Sequence, residues 1–391
     1  MFGVSLNIVK GNDLESISTD VTANLPLLSL FILVPLISIP MKMEGYFDSV
    51  KHFMKKMIGR PRKIFASFSF VLFCLGPILN LGSIRLMHEM LDDLKIHPIL
   101  LAKSYLVGFS TVVLWSPYIA SVALVLFYLD IPIADYLPVG LAAALIQLLI
   151  GNLLFKIWAK GHVHDEKDDL SFTEPQKDHA HHKKILSLFG TLFFLLGLIF
   201  LLEAQTKWSM MFLVSLLAFI YPVTWCFVKN RLKEFSTHLK MYQTQTSNLL
   251  NNEIVLFLSA GLFGRALSGT SFVDCIQTFL YYIADRSFLL FSVAIMVTIL
   301  TLTFIGVHQI VVVTVLLTQI DPGSVGSEPV ALALLLMTSW SMASIISPIN
   351  PLNLLVSNSV KQPSLFVGFK WNGLYLLSTC IVGILFVCLI H

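Results

Sequence analysis

Long apolar stretches alternate with short polar ones along the chain, and their lengths point to a membrane. A helix needs roughly 20 apolar residues to cross about 30 Å of hydrocarbon. Ordinary spans are predicted at 26–41, 137–158, 185–203, 207–228 and 367–390. Five segments are longer, at 62–90, 98–130, 252–282, 286–319 and 329–358. A continuous helix of that length would reach about 50 Å, so such a segment must tilt, break or turn back. Backbone groups freed by a break are tolerated in lipid only where they face protein or a watery cavity. A polar site is therefore expected in the long segments.

Two of these segments carry the same punctuation. Pro98, Ser116-Pro117 and Pro132 recur 231 positions later as Pro329, Ser347-Pro348 and Pro363, and Ser110 recurs as Ser341. With 16 prolines in 391 residues, three ungapped matches are not expected by chance. Duplicated, interrupted membrane helices are a sequence pointer to the binding site of a secondary transporter.

Basic residues mark the cytoplasmic side of a membrane protein. They concentrate in 41–63, 159–184 and 229–251, whereas 131–136, 204–206 and 320–328 hold no Lys or Arg. If every segment crosses, 41–63 and 159–184 fall on opposite sides. Making 62–90 a re-entrant hairpin from the cytoplasm removes the conflict. Its counterpart 286–319 then enters from outside, and the two halves are inverted. Making 98–130 re-entrant instead also satisfies the main basic loops, but it places Lys95 outside. Met43–Met57 and Lys229–Tyr242 mix basic and apolar residues at helical spacing. Each is read as an interfacial arm or a solvated basic loop.

The predicted fold class is an all-α polytopic membrane protein. It has two inverted repeats with re-entrant hairpins and broken transmembrane helices. Residues 1–158 form the first half (arm 43–57, hairpin 62–90, broken helix 98–130), and 159–184 a His-rich cytoplasmic linker. Residues 185–391 form the second half (arm 229–242, hairpin 286–319, broken helix 329–358). Composition agrees: 56% of residues are hydrophobic and 13% charged, against about 25% charged in soluble domains. A net charge of +3 gives no reason to expect nucleic acid. The five cysteines lie in apolar segments without metal-ligand spacing and read as core residues. Residues 1–24 show no basic stretch ahead of an apolar core, so a cleaved leader is not expected.

Candidate substrate- or ion-binding residues cluster at the breaks and hairpin midpoints. The second break offers Ser341, Ser344, Ser347, Asn350 and Asn353, where hydroxyls, amides and freed carbonyls can coordinate an ion. The first offers Ser110, Ser116 and Pro117. The hairpins add Asn80, Gly82 and Ser83 on one side and Gly306, His308 and Gln309 on the other. Arg85 and Arg265 are possible anion partners, because intramembrane charges are costly and functional by default. The histidines of 162–182 read as a solvated linker or a weak metal site. No cofactor or resident metal is expected, and no hydrolase or nucleotide-binding motif is present.

The succession of arm, hairpin, broken helix and closing helix resembles the ion transporter superfamily. That group includes divalent-anion/sodium symporters, citrate and C4-dicarboxylate carriers and arsenite permeases. The residues carrying the resemblance are Ser347-Pro348-Ile-Asn350 and Ser116-Pro117, and it covers about 62–158 and 252–390. The Ser-Asn-Thr hairpin tips of the dicarboxylate symporters are replaced here by Asn80-Leu-Gly-Ser83 and Gly306-Val-His308. The resemblance implies a non-enzymatic secondary transporter, and the excess of cationic intramembrane groups points to a small organic anion of carboxylate type. Sodium or protons would drive it, by an elevator motion of a homodimer in the lipid of a bacterial cytoplasmic membrane. Alternatives are a translocase of envelope precursors or lipid-linked substrates, and a non-transporting membrane subunit.

Overall fold

A computed structural model describes residues 18, 21, 22, 24–55, 60–91, 96–162, 178–267 and 270–391. Lys95 and most of the His-rich linker lie outside the described residues, as do the side chains of Arg265, Asp274 and Cys275. The described residues contain no strand, and nine of their helices are long and apolar enough to cross a membrane. In chain order the helices are α1 (Leu25–Met43), the short α2 (Tyr46–Lys55), α3 (Pro61–Leu79) and α4 (Gly82–Leu91). Next come α5 (Pro98–Trp115), α6 (Ala120–Tyr128), α7 (Ile133–His162), α8 (Asp178–Thr206) and α9 (Met210–Val228). The second half continues with α10 (Leu232–Leu267), α11 (Ser271–Arg286), α12 (Phe288–Ile305) and α13 (Gln309–Gln319). It closes with α14 (Pro329–Ile346), α15 (Pro351–Val360), a π-helical turn Phe366–Trp371 and α16 (Gly373–Ile390).

The breaks follow from proline stereochemistry. A proline clashes with its preceding residue in the α region and pushes it to extended angles. Ser116 (φ −81°, ψ 119°) and Ser347 (φ −70°, ψ 123°) sit in that conformation, ending α5 and α14. The same effect starts each span, because His97 and Glu328 are extended ahead of Pro98 and Pro329. The freed carbonyls just before each break are recaptured. The Tyr136 hydroxyl donates to Leu114 O at 2.7 Å, and Asn353 Nδ2 donates to Ile345 O at 2.8 Å. Leu114 and Ile345 are themselves 231 apart.

Both hairpins reverse at a residue with positive φ. Asn80 (φ 49°) turns α3 into α4, and Gly306 (φ 123°) turns α12 into α13. The inverted repeat is visible as a contact across its own axis: the Ser341 hydroxyl donates to Ser110 O at 2.8 Å. Around that axis the broken spans are the most enclosed. Buried residues make up 94% of the apolar window in Pro98–Tyr128 and 89% in Pro329–Val360, against 17% in His179–Thr206. The broken spans therefore form the centre, and α8 faces lipid.

The basic segments share one end of the bundle. Arg231 Nη1 donates to Met43 O at 3.2 Å, Lys229 lies 4.0 Å from Glu44, and Tyr46 Oη pairs with Ser187 Oγ at 2.8 Å. The opposite end gathers Asn24 with Phe257 O and Ile133 N with Glu203. There too Phe288 stacks on His391, with ring centroids 3.6 Å apart.

One element differs from the sequence expectation. Lys229–Tyr242 does not form a separate arm, because α10 runs unbroken from Leu232 to Leu267. The expected span 252–282 is divided between the end of α10 and the separate helix α11. The position equivalent to α2 falls at 277–286, within α11, so α11 is the second arm. Its Gln277 Nε2 donates to Gln319 O at 2.6 Å at the non-basic end. Basic residues at 229–240 directed the sequence reading to the wrong side of the second half.

Candidate functional site

The second break and the second hairpin meet in one hydrogen-bonded cluster. Ser347 Oγ donates to Thr303 O at 2.7 Å, joining the end of α14 to the end of α12. Asn350 Nδ2 donates to Gln309 Oε1 at 2.5 Å, and Gln309 Nε2 donates to Trp340 O at 3.3 Å. Asn350 Oδ1 also accepts from Leu352 N at 2.9 Å, which makes it the N-cap of α15. Five of the sequence-predicted residues, Gly306, His308, Gln309, Ser347 and Asn350, therefore converge here. Gly306 supplies the turn, and His308 caps α13 through Nδ1, which accepts from Ile310 N at 3.2 Å.

The other predicted residues have different surroundings. Asn353 is fully buried, and its Nδ2 serves the carbonyls of Ile345, Ser347 and Ser364 while its Oδ1 accepts from Ser357. It holds the break in shape. Ser341 lies on the repeat axis, where it touches Ser110 and also Gln147 Oε1 at 3.3 Å, and Ser344 donates back to Ser341 O. Asn80 and Ser83 bond within their own turn: Asn80 Oδ1 accepts from Leu81 N, and Ser83 Oγ donates to Asn80 O. Gly82 and Arg85 are exposed on α4. Ser116 Oγ accepts from Tyr118 N at 3.3 Å, and Pro117 is buried beside it.

Sequence reasoning missed the two aromatics around the first break. Trp115 Nε1–H and Tyr118 O–H are buried and have no hydrogen-bond partner among the described residues. A donor buried in this way costs free energy, and the same holds for the Tyr105, Ser292, Thr314 and Tyr375 hydroxyls away from the break. Trp115 also lies against the first hairpin, with its ring 5.2 Å from that of Phe73. The available signal was a tryptophan next to Ser-Pro, Trp115-Ser-Pro117. Gln147 was missed as well, although an amide within the apolar run of α7 was a cue.

Three cavities stand out, and none of them lies at a break. One of about 540 Å³ sits at the non-basic end between α6, α8 and α9. One of about 210 Å³ holds Lys103 against Trp371 O, with Trp158 and Tyr375 in its walls. The third, of about 710 Å³, lies at the basic end beside α2. The first break is buried through Ser116 and Pro117, while Ile349 at the second is half-exposed. Among the described residues no group of three or more His, Cys, Asp or Glu side chains gathers as a metal site.

No protein-family model matches the chain, and no curated protein matches it significantly. Its fold is similar to that of solved transporter structures. The YdaH transporter of Alcanivorax borkumensis, reported to have an unusual topology, aligns with a TM-score of 0.63 at 13% identity. The alignment covers 96% of this chain and 88% of that one. MtrF of Neisseria gonorrhoeae, described as illuminating a class of antimetabolite efflux pumps, aligns at 0.62 and 14% identity, covering 96% and 83%. At these identities the likeness is one of fold: an all-helical membrane architecture.

Proposed function

We propose that this chain is a secondary active transporter of a small organic anion, driven by a sodium or proton gradient. The observation that carries the reading is the pair of Ser-Pro breaks facing each other across the axis at Ser110 and Ser341, each flanked by a hairpin from its own end. Broken helices at such an axis supply half-helix ends and unwound carbonyls for solute and coupling ion. Hard cations take oxygen ligands. The second break and its hairpin present oxygens at Ser347 Oγ and Thr303 O, which bond each other, and at Gln309 Oε1 and Asn350 Oδ1 beside the Asn350–Gln309 bond. At the first, Trp115 and Tyr118 offer donors to an anion.

The helices also divide into two packed groups. The hairpins, α5–α7 and α14–α16 pack together, α1, α8 and α9 form a second assembly, and α10 packs both on α1 and on the hairpin helix α13. Movement of the first group past the second is the elevator motion we propose, with α2 and α11 as connecting arms. The fold shared with MtrF makes export a direction to test alongside uptake. Proteoliposomes loaded with a panel of carboxylates, with and without sodium and proton gradients, test the reading in both directions. Gradient-dependent flux of at least one carboxylate is expected. Absence of flux for every solute under both gradients would overturn it.

A further inference from the structure

The cavity of about 710 Å³ at the basic end is walled by three elements: the junction before α2, the start of α8 and the end of α9. Its polar lining includes Lys183, Lys184 and Lys229, with Glu44 as the single acidic residue. Glu44 lies 4.0 Å from Lys229, and Lys184 Nζ and Asp48 Oδ2 both approach Gly45, so three lysines stand against two carboxylates and Lys183 is the excess positive charge. Tyr46 and Trp225 line the same wall, and the Lys229 ammonium lies 6.0 Å from the Trp225 ring. Aromatic side chains of this kind belong to the headgroup level of a bilayer.

The surroundings change character along the membrane normal. Phe194, which lines the cavity, is 62% exposed, and Leu186, Phe193, Phe227 and Val228 around it are at least 70% exposed. Apolar exposure of this size at the ends of two membrane helices is surface for acyl chains. The site thus joins a cationic mouth, an aromatic collar and an apolar flank in the order of a phospholipid's own parts. Basic pockets between helices on the cytoplasmic side are suited to anionic headgroups.

We propose that this cavity binds the phosphate headgroup of an anionic phospholipid, and that the bound lipid fixes α2 to α8 and α9. The arm is otherwise tied there by the Tyr46–Ser187 hydrogen bond and by ring contacts such as His52 on His181, with centroids 4.3 Å apart. A phosphate bridging Lys183 and Lys184 on α8 to Lys229 at the end of α9, beside Tyr46 of the arm, adds a further attachment.

The test uses the full chain purified in a neutral detergent. Thermal unfolding is measured with added phosphatidylglycerol, phosphatidylcholine or inorganic phosphate. Three proteins are compared: the parent, the triple variant Lys183→Gln, Lys184→Gln, Lys229→Gln, and the charge-matched control Lys160→Gln, Lys233→Gln, Lys240→Gln. Phosphatidylglycerol should raise the unfolding temperature of the parent and the control, and phosphatidylcholine should not. The triple variant should need on the order of a hundredfold more anionic lipid for the same shift, since each lysine near an anionic surface contributes roughly a fivefold factor. Equal responses of the triple variant and the parent would overturn the proposal. So would inorganic phosphate alone reproducing the shift, which would make this a small-anion site. All six lysines are surface residues, so misfolding is not expected to obscure the result.

Discussion

The Asn350–Gln309 hydrogen bond joins the second break to the second hairpin, and its contribution can be isolated. Asn350→Ala removes two things: the cap on Leu352 N and the donor to Gln309 Oε1. Losing an N-cap costs about 1 kcal/mol, and leaving a buried amide oxygen unsatisfied costs about 1–3 kcal/mol. Gln309→Met keeps the side-chain length and removes only the amide, so it orphans Asn350 Nδ2 and frees Trp340 O. Each single variant should unfold several degrees below the parent, with Asn350→Ala the lower because it also uncaps α15. The double variant should lie near Asn350→Ala, not at the sum, because both changes break the same bond. A coupling of about 1–3 kcal/mol is expected for residues in direct contact. Thermal unfolding of the four proteins in one detergent reads it. Strict additivity would show that the two amides do not bond, and the second break would lose its connection to the hairpin.

Close approach of α5 and α3 depends on Gly108, where an added Cβ would lie 2.7 Å from Ser69 O. Gly108→Ala should therefore destabilise by about 1–3 kcal/mol, while Gly197→Ala, with open space around it, should be neutral or stabilising in the same unfolding assay. At the first hairpin tip Asn80 holds φ 49°, ψ −141°, a region suited to glycine. Asn80→Gly should raise the unfolding temperature, and a simultaneous loss of transport would assign its amide to the solute. Phe70 of α3 and Phe189 of α8 have ring centroids 6.4 Å apart and join the two helix groups. In a background cleared of native cysteines, cross-linking Phe70→Cys to Phe189→Cys should stop flux, and full flux with the link formed would rule out relative motion there.

Much of the architecture was legible because proline and charge act locally. Pro117 and Pro348 disfavour the α region at the preceding serine, and the recurrence of Ser-Pro at 231 positions marked both breaks, whereas Pro77, Pro138 and Pro222 sit inside helices. The first hairpin followed from lengths and basic loops as one of two readings, since either 62–90 or 98–130 had to turn back to keep the lysines of 159–184 on the side of 41–63, and the second choice placed Lys95 outside. The second arm was not legible in that way. Its equivalence to α2 is a register of position without basic residues, and Lys229–Lys240 supplied a stronger but misleading amphipathic signal. Contacts across the molecule were also hidden. Nothing in Thr303 or Gln147 announces that one lends its carbonyl to Ser347 and the other its amide oxygen to Ser341.

The two breaks share a backbone device but not its side chains. Asn350 and Asn353 correspond to Ile119 and Val122, whereas Trp115 and Tyr118 correspond to Ile346 and Ile349. One break is thus rich in amide and hydroxyl oxygen, and the other in aromatic donors without acceptors. In the proposed transport of an anion with a cation, the first break would take the anion and the second the cation. Tyr118→Phe is the cleanest probe, because it removes one oxygen that bonds nothing among the described residues. With no hydrogen bond to lose, and an orphan donor costing about 1–3 kcal/mol removed, the variant should unfold no lower than the parent. If the hydroxyl meets a carboxylate during transport, losing a charge-assisted bond of roughly 1.5–3 kcal/mol should raise the apparent KM about tenfold to a hundredfold. Dependence on the coupling ion should not move, because that ion is assigned to the other break. A lowered unfolding temperature with an unchanged KM would mean that the hydroxyl has a structural partner, and the anion would have to be sought away from the first break.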